Sequence, residues 1–593
     1  MASPQTRPYP ELSIPSIALG AVTGVILTAS FVYIALKLGF GLSGSTVAAI
    51  LGFVVLRGVL GRRSIVENNI NQTIASGINT ASAGVVFTLP ALFLMSAEDT
   101  SLRGFDVGPL LFAAVAGSLM GIVLIIPLRK QMIEFERLKF PSGMAVATLL
   151  KSPGEGRAQG QLLIGGAAFA VALTLGVSLF QVIPEELDVG GLLDLPPWLP
   201  FALYISAANF GAGLLSGRGG LPFALGGILA WWIIAPVAVN AGWVEAHAQV
   251  PAASVAGWQA GEVFSQMLRP LGIGMLIGGA LAGVFAALPA VTGAMRSLAA
   301  AARAARESGG AAQEIDPKFV YGGAVGAFVL LFIGAGLSTP GMGWGTALLI
   351  AVVGSLWLGL AGIIVAQATG HTDISPLSGL SLIAVTLMFF LSAGNVTASI
   401  VMGMAVCIAI NQCADMMSDL KTGHLVGSIP RQQQIGQLIM CWIGPLVAIG
   451  VLYLLWGSAD NPGFGPNSAA CIAESADCLG APQGEALKAT LDALRSSDSA
   501  VDKYAAGAVM GGALSIFPIG GIAVLVGLAM YLPFPITPAY GVGCVTSMAL
   551  ERRNGRAWVG KVLVPASAGL IVGEALTSLG LALYNLMVAG GAA

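Results

Sequence analysis

Ionisable and amide side chains inside apolar runs are the residues of this 593-residue chain whose types and spacing could do chemistry. The densest group is 410–424, INQCADMMSDLKTGH. Residues four apart share a helical face, which lines up Asn411, Asp415 and Asp419, with Ser418 beside them and Gln412 next to Asn411. A charge at the bilayer centre costs roughly 2.5–3.5 kcal/mol on insertion scales, so such a face should turn into a bundle or a water-filled cavity and mark a path for solute or proton. Asp419 and Lys421 could equally form the cytoplasmic end of an ordinary span, already in water. Asn411 and Asp415, a turn or more deeper, are expected to be functional.

A second polar group is 67–80, ENNINQTIASGINT. Glu67, Asn71 and Asn79 share one helical face, and Asn68, Gln72, Ser76 and Thr80 the adjacent one. That is more hydrogen-bonding capacity than lipid tolerates. One reading is helix-to-helix glue, with amides satisfying broken backbone nearby. The other is a substrate path in which Asn71, Gln72, Asn79, Asn411 and Gln412 offer donors and acceptors to a peptide backbone. Asp415 and Glu67 would then hold a cationic end of the substrate or a proton, with Asp419 a further proton carrier. Ser43, Ser142 and Ser378 stand ahead of apolar helices as N-caps. If those helices start within the membrane, their N–H groups and positive dipole ends would take a carboxylate; otherwise they are boundary caps. His371 and Asp373 precede one such start, either as a proton-handling pair or as wet loop residues. Glu574 is the acidic residue deep in the last apolar run; it would assist proton coupling, with a neutral structural role the alternative.

Other chemistries lack a motif. No HExxH occurs, and the run GRAWVGKV (555–562) has Val562 where a phosphate loop needs Ser or Thr, with no strand ahead of it. Isolated Asp and Ser residues form no recognisable hydrolytic pair. Six cysteines are scattered without the CxxC units of a zinc site, so neither an enzyme, a metal site nor a cofactor is expected. Cys471 and Cys478 share a long polar loop and would pair if it faces an oxidising compartment.

The scaffold for these residues is set by composition: 56% apolar and 9% charged describes a polytopic all-α membrane protein, in contact with lipid and with no basic block for nucleic acid. Glycine at 81 residues and proline at 31 suit closely packed and broken spanning helices. The N-terminal stretch MASPQTRPYPELSIP does not read as a cleaved signal peptide. Fifteen apolar runs, from 14–38 to 557–588, reach the roughly 20 residues a span needs. Two proline-interrupted runs, 138–150 and 530–549, read as re-entrant half-helices, because basic loops then fall on one side and acidic loops on the other. GLSGSTVAAILGF (41–53) parallels PLSGLSLIAVTLMF (376–389), and Ile70-Asn71-Gln72 parallels Ile410-Asn411-Gln412. FPSGMAVATLLKS (140–152) likewise parallels TPAYGVGCVTSMALER (537–552). Such repeats imply two homologous halves, as secondary transporters commonly have. The expected organisation is a tail 1–13, a first transmembrane half 14–305, a cytoplasmic linker 306–318, and a second half 319–593 carrying an extracytoplasmic loop 457–500.

The run ADMMSDLKTGHLVGSIPRQQQIGQLI (414–439) resembles the oligopeptide transporter family, whose plant yellow-stripe branch moves metal chelates and which has many bacterial members. LSGSTVAAILGF, ENNINQT, LKFPSGMAVATLLKS, NFGAGLLSGRGGLPFALGGILAWWIIAP, GHTDISPLSGLSLIAV and SAGLIVGEAL extend the likeness from near 40 to near 576, although HTD at 371–373 is less typical. The resemblance implies about sixteen spans and a secondary active, usually proton-coupled importer of small peptides or metal chelates in a bacterial inner membrane. A passive channel is the alternative from another class, and a homo-oligomer is left open.

Overall fold

Apolar runs in lipid leave the backbone no partner but itself, so they fold as helices, and hydroxyl or amide side chains mark where they start. The computed structural model describes residues 11–39, 44–151, 156–195, 199–241, 263–286, 314–338, 342–372, 375, 377–472, 478–495, 501–517 and 522–590. Helices α1 (Ile14–Leu38), α2 (Gly44–Gly52), α3 (Ile65–Glu98), α4 (Val107–Ile125), α5 (Pro141–Leu150) and α6 (Gly156–Thr174) come first. After them run α7 (Ala207–Ser216), α8 (Arg269–Ala286), α9 (Pro317–Leu337), α10 (Trp344–Thr372), α11 (Leu377–Leu391) and α12 (Val396–Val426). The last group is α13 (Pro430–Met440), α14 (Ile443–Trp456), α15 (Pro482–Arg495), α16 (Val501–Leu514), α17 (Ile522–Tyr531), α18 (Ile536–Asn554) and α19 (Val564–Gly590). A two-stranded antiparallel ribbon, Glu186–Asp188 with Ala202–Tyr204, is the sheet among the described residues.

Ten described helical stretches are long and apolar enough to cross a membrane, and four further apolar helices have 10–17 residues. The all-α polytopic reading stands, with the apolar runs cut differently. The runs 198–217 and 221–240 become one helical stretch, Ala207–Asn240, and the expected span 504–527 is divided between α16 and α17. Of the two expected half-helices, 138–150 is the short α5, whereas 530–549 falls mostly within the 19-residue α18.

Burial separates the centre from the lipid-facing rim. The apolar windows of α3 and α12 are 94% and 89% buried, against 22% for those including α6 and α9. Ser64 caps α3 by accepting from Glu67 N at 3.2 Å, and Asn395 caps α12 by accepting from Ala398 N at 2.9 Å. α12 ends on Gly427, whose φ of 85° is the left-handed geometry glycine adopts without strain. The two helices run antiparallel in contact, because Gly84 lets α12 approach: a Cβ there would lie 2.4 Å from Ile408 N. α4 lies against the adjoining flank of α12, where a Cβ on Gly117 would meet Ala405 O at 2.3 Å. A third close approach brings α14 onto α3, where a Cβ on Gly444 would stand 2.0 Å from Ile78 O. Small residues thus set the spacing of the central helices. Arg129, buried just past the end of α4, binds Glu134 at 2.7 Å and Glu314 at 2.6 Å, tying the segment ahead of α9 to this end of α4.

Candidate functional site

The antiparallel register of α3 and α12 brings the two polar groups of the sequence face to face. Gln72 donates to Asp419 Oδ1, Ser76 Oγ donates to Asp415 Oδ1 at 2.7 Å, Gln412 Nε2 donates to Gly77 O at 2.7 Å, and Asn411 Nδ2 donates to Thr80 O at 2.8 Å. Each step along α3 is answered by a step back along α12. Asp415 and Asp419 stand one turn apart, about 6 Å of rise. Oδ2 of each carboxylate is buried without a hydrogen-bond partner among the described residues. Asn69 Nδ2 donates to Gln72 Oε1 at 3.1 Å, which turns the Gln72 amide so that its own N–H group faces Asp419.

α13 closes the third side, with side chains that periodicity alone did not single out. Gln433 Nε2 donates to Thr73 Oγ1 at 2.9 Å and to Asp419 O at 2.8 Å. Gln437 Nε2 donates to Gln412 Oε1 at 3.2 Å, while Gln412 Nε2 also reaches Ser118 of α4 at 3.0 Å. Gln433 and Gln437 are four residues apart in RQQQIGQLI, a same-face spacing that could have flagged them. The cluster therefore joins α3, α4, α12 and α13. Thr422 Oγ1 adds a bond to Gly143 O of α5 at 2.9 Å.

The other candidates distribute differently. Asn71 turns from the α12 face: its Nδ2 donates to Ala48 O at 3.0 Å, beside Asn68 donating to Ala49 O at 3.0 Å. These amides brace α2 just before its backbone widens at Phe53. Asn79 packs against the start of α2, where a Cβ on Gly44 would meet its Nδ2 at 2.9 Å. Glu67 is buried at the entry of α3, accepting from Arg62 Nε at 2.7 Å and from Ser13, so the end of the N-terminal tail fastens to it. Glu11 reaches further along the same end, accepting from Ile429 N at 2.8 Å. Ser142 lies in the first turn of α5 and is not its cap, since Pro141 takes the first helical position and Phe140 precedes it. Ser378 is the second residue of α11 and His371 the second-last of α10, with side chains outside the described set; Ser43 and Asp373 lie outside the described residues altogether.

Glu574 forms a separate buried centre in α19. It accepts from Ser206 Oγ at 2.7 and 2.9 Å and from Ala208 N at 3.0 Å, at the start of α7, and stands 3.8 Å from Lys37 Nζ of α1. Lys37 also donates to the Tyr204 and Tyr33 hydroxyls and lies 4.4 Å from the Tyr204 ring centroid. Lys37 is not among the residues singled out above; a lone lysine inside the apolar run IALKLGF is the signal that could have flagged it. In the segment between α14 and α15, Cys471 and Cys478 are joined in a disulfide, with their Cα atoms 4.5 Å apart.

A polytopic helical membrane protein with amides and carboxylates meeting at the contact of its two most buried long helices has the build of a solute transporter. The family model described as OPT oligopeptide transporter protein matches residues 11–585, and the chain belongs to that family. It is 26% identical over 616 residues to a putative oligopeptide transporter of Haemophilus influenzae, covering 92% of this chain and 91% of the relative. It is 25% identical to a probable metal-nicotianamine transporter of Oryza sativa subsp. japonica, over 76% of this chain and 70% of the relative. The iron-phytosiderophore transporter yellow stripe 1 of Zea mays is 24% identical over 76% of this chain and 72% of its own.

Proposed function

We propose that the chain is a secondary active importer of small oligopeptides or peptide-like metal chelates, driven by protons across a bacterial inner membrane. The observation that carries this reading is the carboxylate pair Asp415 and Asp419, each with an oxygen left without a partner among the described residues, deep between the two most buried long helices. A buried acceptor left unpaired is costly, and inside a membrane such a group marks a place for a proton, a cation or a substrate amine. Gln72, Ser76, Asn411 and Gln412, whose donors bridge α3, α4 and α12 in this structure, would be released to a peptide backbone as the helices part. The names of the relatives, oligopeptide in one case and metal chelates in the others, support the same substrate range.

Two homologous halves also fit the architecture. The paired INQ elements lie on α3 and α12, and each of these long helices follows a short apolar one, α2 or α11. On this reading the central contact is the seam between halves, where substrate passes as one moves against the other.

The test is uptake into proteoliposomes under an imposed pH gradient, with peptides and metal chelates supplied in parallel. Inward-acid gradients dissipated by substrate, and saturable uptake abolished by Asp415→Asn or Asp419→Asn, are the expected results. Unchanged uptake in both variants would remove these residues from the mechanism. A substrate-independent, non-saturating current in planar bilayers would instead identify a passive channel.

A further inference from the structure

Away from the central cluster, a cavity of about 300 Å³ opens beside the Cys471–Cys478 disulfide. Its walls include Arg269 at the start of α8, Trp231, Phe264 and Tyr531, with Glu186 and Asp188 of the strand Glu186–Asp188. The volume is at the lower end of ligand pockets, roughly 300–1,000 Å³, and suits one end of a small molecule.

The donors on this wall are only partly used. Arg269 Nη2 donates to Tyr531 Oη at 3.2 Å and lies 3.5 Å from Glu485 Oε1, while the guanidinium stacks over the Tyr531 ring at 5.1 Å. Those contacts hold the side chain in place. Nε and Nη1 have no hydrogen-bond partner among the described residues. Trp231 is 3% exposed and stacked on Phe264, yet its indole Nε1 is a buried donor with no partner among the described residues. A fixed guanidinium with unused N–H groups, beside the Trp231 ring whose buried indole N–H is also unpaired, calls for an acceptor with two oxygens.

We propose that this cavity is an outer recognition site for the carboxylate of a peptide or of an amino-carboxylate metal chelate. Arg269 takes the carboxylate through its unused N–H groups, and the Trp231 indole supplies a further donor. Glu186 and Asp188 place negative charge on the same walls, which favours a ligand whose other end is an amine. The proposal rests on the transport reading for the identity of the ligand, and it assigns a site distinct from Asp415 and Asp419, one at which substrate is captured before it reaches the central helices.

Equilibrium dialysis of the full-length protein in nanodiscs tests it, with triglycine, triglycinamide and the iron(III) complex of nitrilotriacetate as probes. Wild type is expected to bind triglycine about tenfold or more tightly than the amide, as a charge-assisted pair requires, and Arg269→Gln to abolish that preference. Trp231→Phe keeps the ring and removes the donor; it should weaken binding of the acid and leave that of the amide unchanged. Tight, Arg269-dependent binding of only one of triglycine and the iron complex supports the site and names the source of the carboxylate. Equal acid-over-amide preference in wild type, Arg269→Gln and Trp231→Phe overturns the proposal, as does failure of wild type to bind either carboxylate probe. Thermal unfolding of each variant separates loss of the site from loss of the fold. Because Asp415→Asn should leave this acid-over-amide preference intact while abolishing uptake, failure here and failure of the transport reading give different results.

Discussion

The buried pair Lys37–Glu574 gives the sharpest energetic prediction, because it ties α1 to α19 and α7 through charges that water cannot reach. Lys37 and Glu574 are 1% and 4% exposed. Removing one member of a buried pair usually costs about 3–5 kcal/mol, since the survivor keeps its desolvation penalty without its partner. Lys37→Met leaves Glu574 with one bond from Ser206 Oγ, shared between its two oxygens, and one from Ala208 N at the start of α7. A helix N-terminus favours a carboxylate by about 0.3–1 kcal/mol, so this loss should sit near the lower bound, about 3 kcal/mol. Glu574→Gln leaves Lys37 over the Tyr204 ring and bonded to tyrosine hydroxyls, contacts of about 0.5–2 kcal/mol, and should cost a similar amount. The double variant removes both charges and should cost less than the two single losses combined, with a coupling of about 2 kcal/mol or more. The assay is thermal unfolding in detergent with a thiol-reactive fluorophore, because Cys407, Cys413, Cys441 and Cys544 are free and buried and react only when the helices part. Strict additivity of the two single effects would falsify the claim that the charges hold one another.

Two further predictions use other parts of the chain. A Cβ at Gly444 would meet Ile78 O at 2.0 Å, and backbone cannot yield as a side chain can; Gly444→Ala should therefore destabilise by about 1–3 kcal/mol through overpacking. Gly450 in the same helix has open space around it, and Gly450→Ala should be neutral or gain about 0.5–1 kcal/mol from helix propensity; thiol-dye melting of both variants checks the contrast. At the end of α3, bonds from Ser101 and the Arg495 guanidinium hold the Asp99 carboxyl down to about 2 from its ordinary 3.8. A lowered carboxyl contributes stability that is complete above its unfolded value and lost as pH falls through its folded one. The difference in melting midpoint between wild type and Asp99→Asn should thus be constant from neutral pH to about pH 5 and shrink on further acidification. A difference that grows with acid would refute the assignment.

The contrast between Asn71 and Gln72 shows where sequence reading stops. Helical periodicity ranks residues around one axis, and both polar groups, on α3 and on α12, were legible from it, as were helix existence, the oxidisable cysteine pair and the family. Which face meets which neighbour depends on contacts between residues more than 330 positions apart, such as Ser76 with Asp415, and no local pattern encodes them. Consecutive residues on a helix point about 100° apart. Asn71 therefore turns to the carbonyls of α2 while Gln72 turns to Asp419, and one tripeptide serves both as glue and as part of the polar centre. The matching tripeptide is used otherwise: Asn411 and Gln412 both bond α3 carbonyls, because α12 is enclosed by α3, α4 and α13. Matching tripeptides thus have unequal roles. At the contact itself the carboxylates are Asp415 and Asp419 of α12, where the corresponding α3 turns carry Ala75 and Asn79; Glu67 of α3 is held apart at the helix entry by Arg62 and Ser13. α3 supplies neutral amide and hydroxyl donors, Gln72 and Ser76, which a charged or neutral partner can both use. That division would let α3 stay bonded to α12 whichever charge the carboxylates carry, as the proposed proton-coupled transport would require.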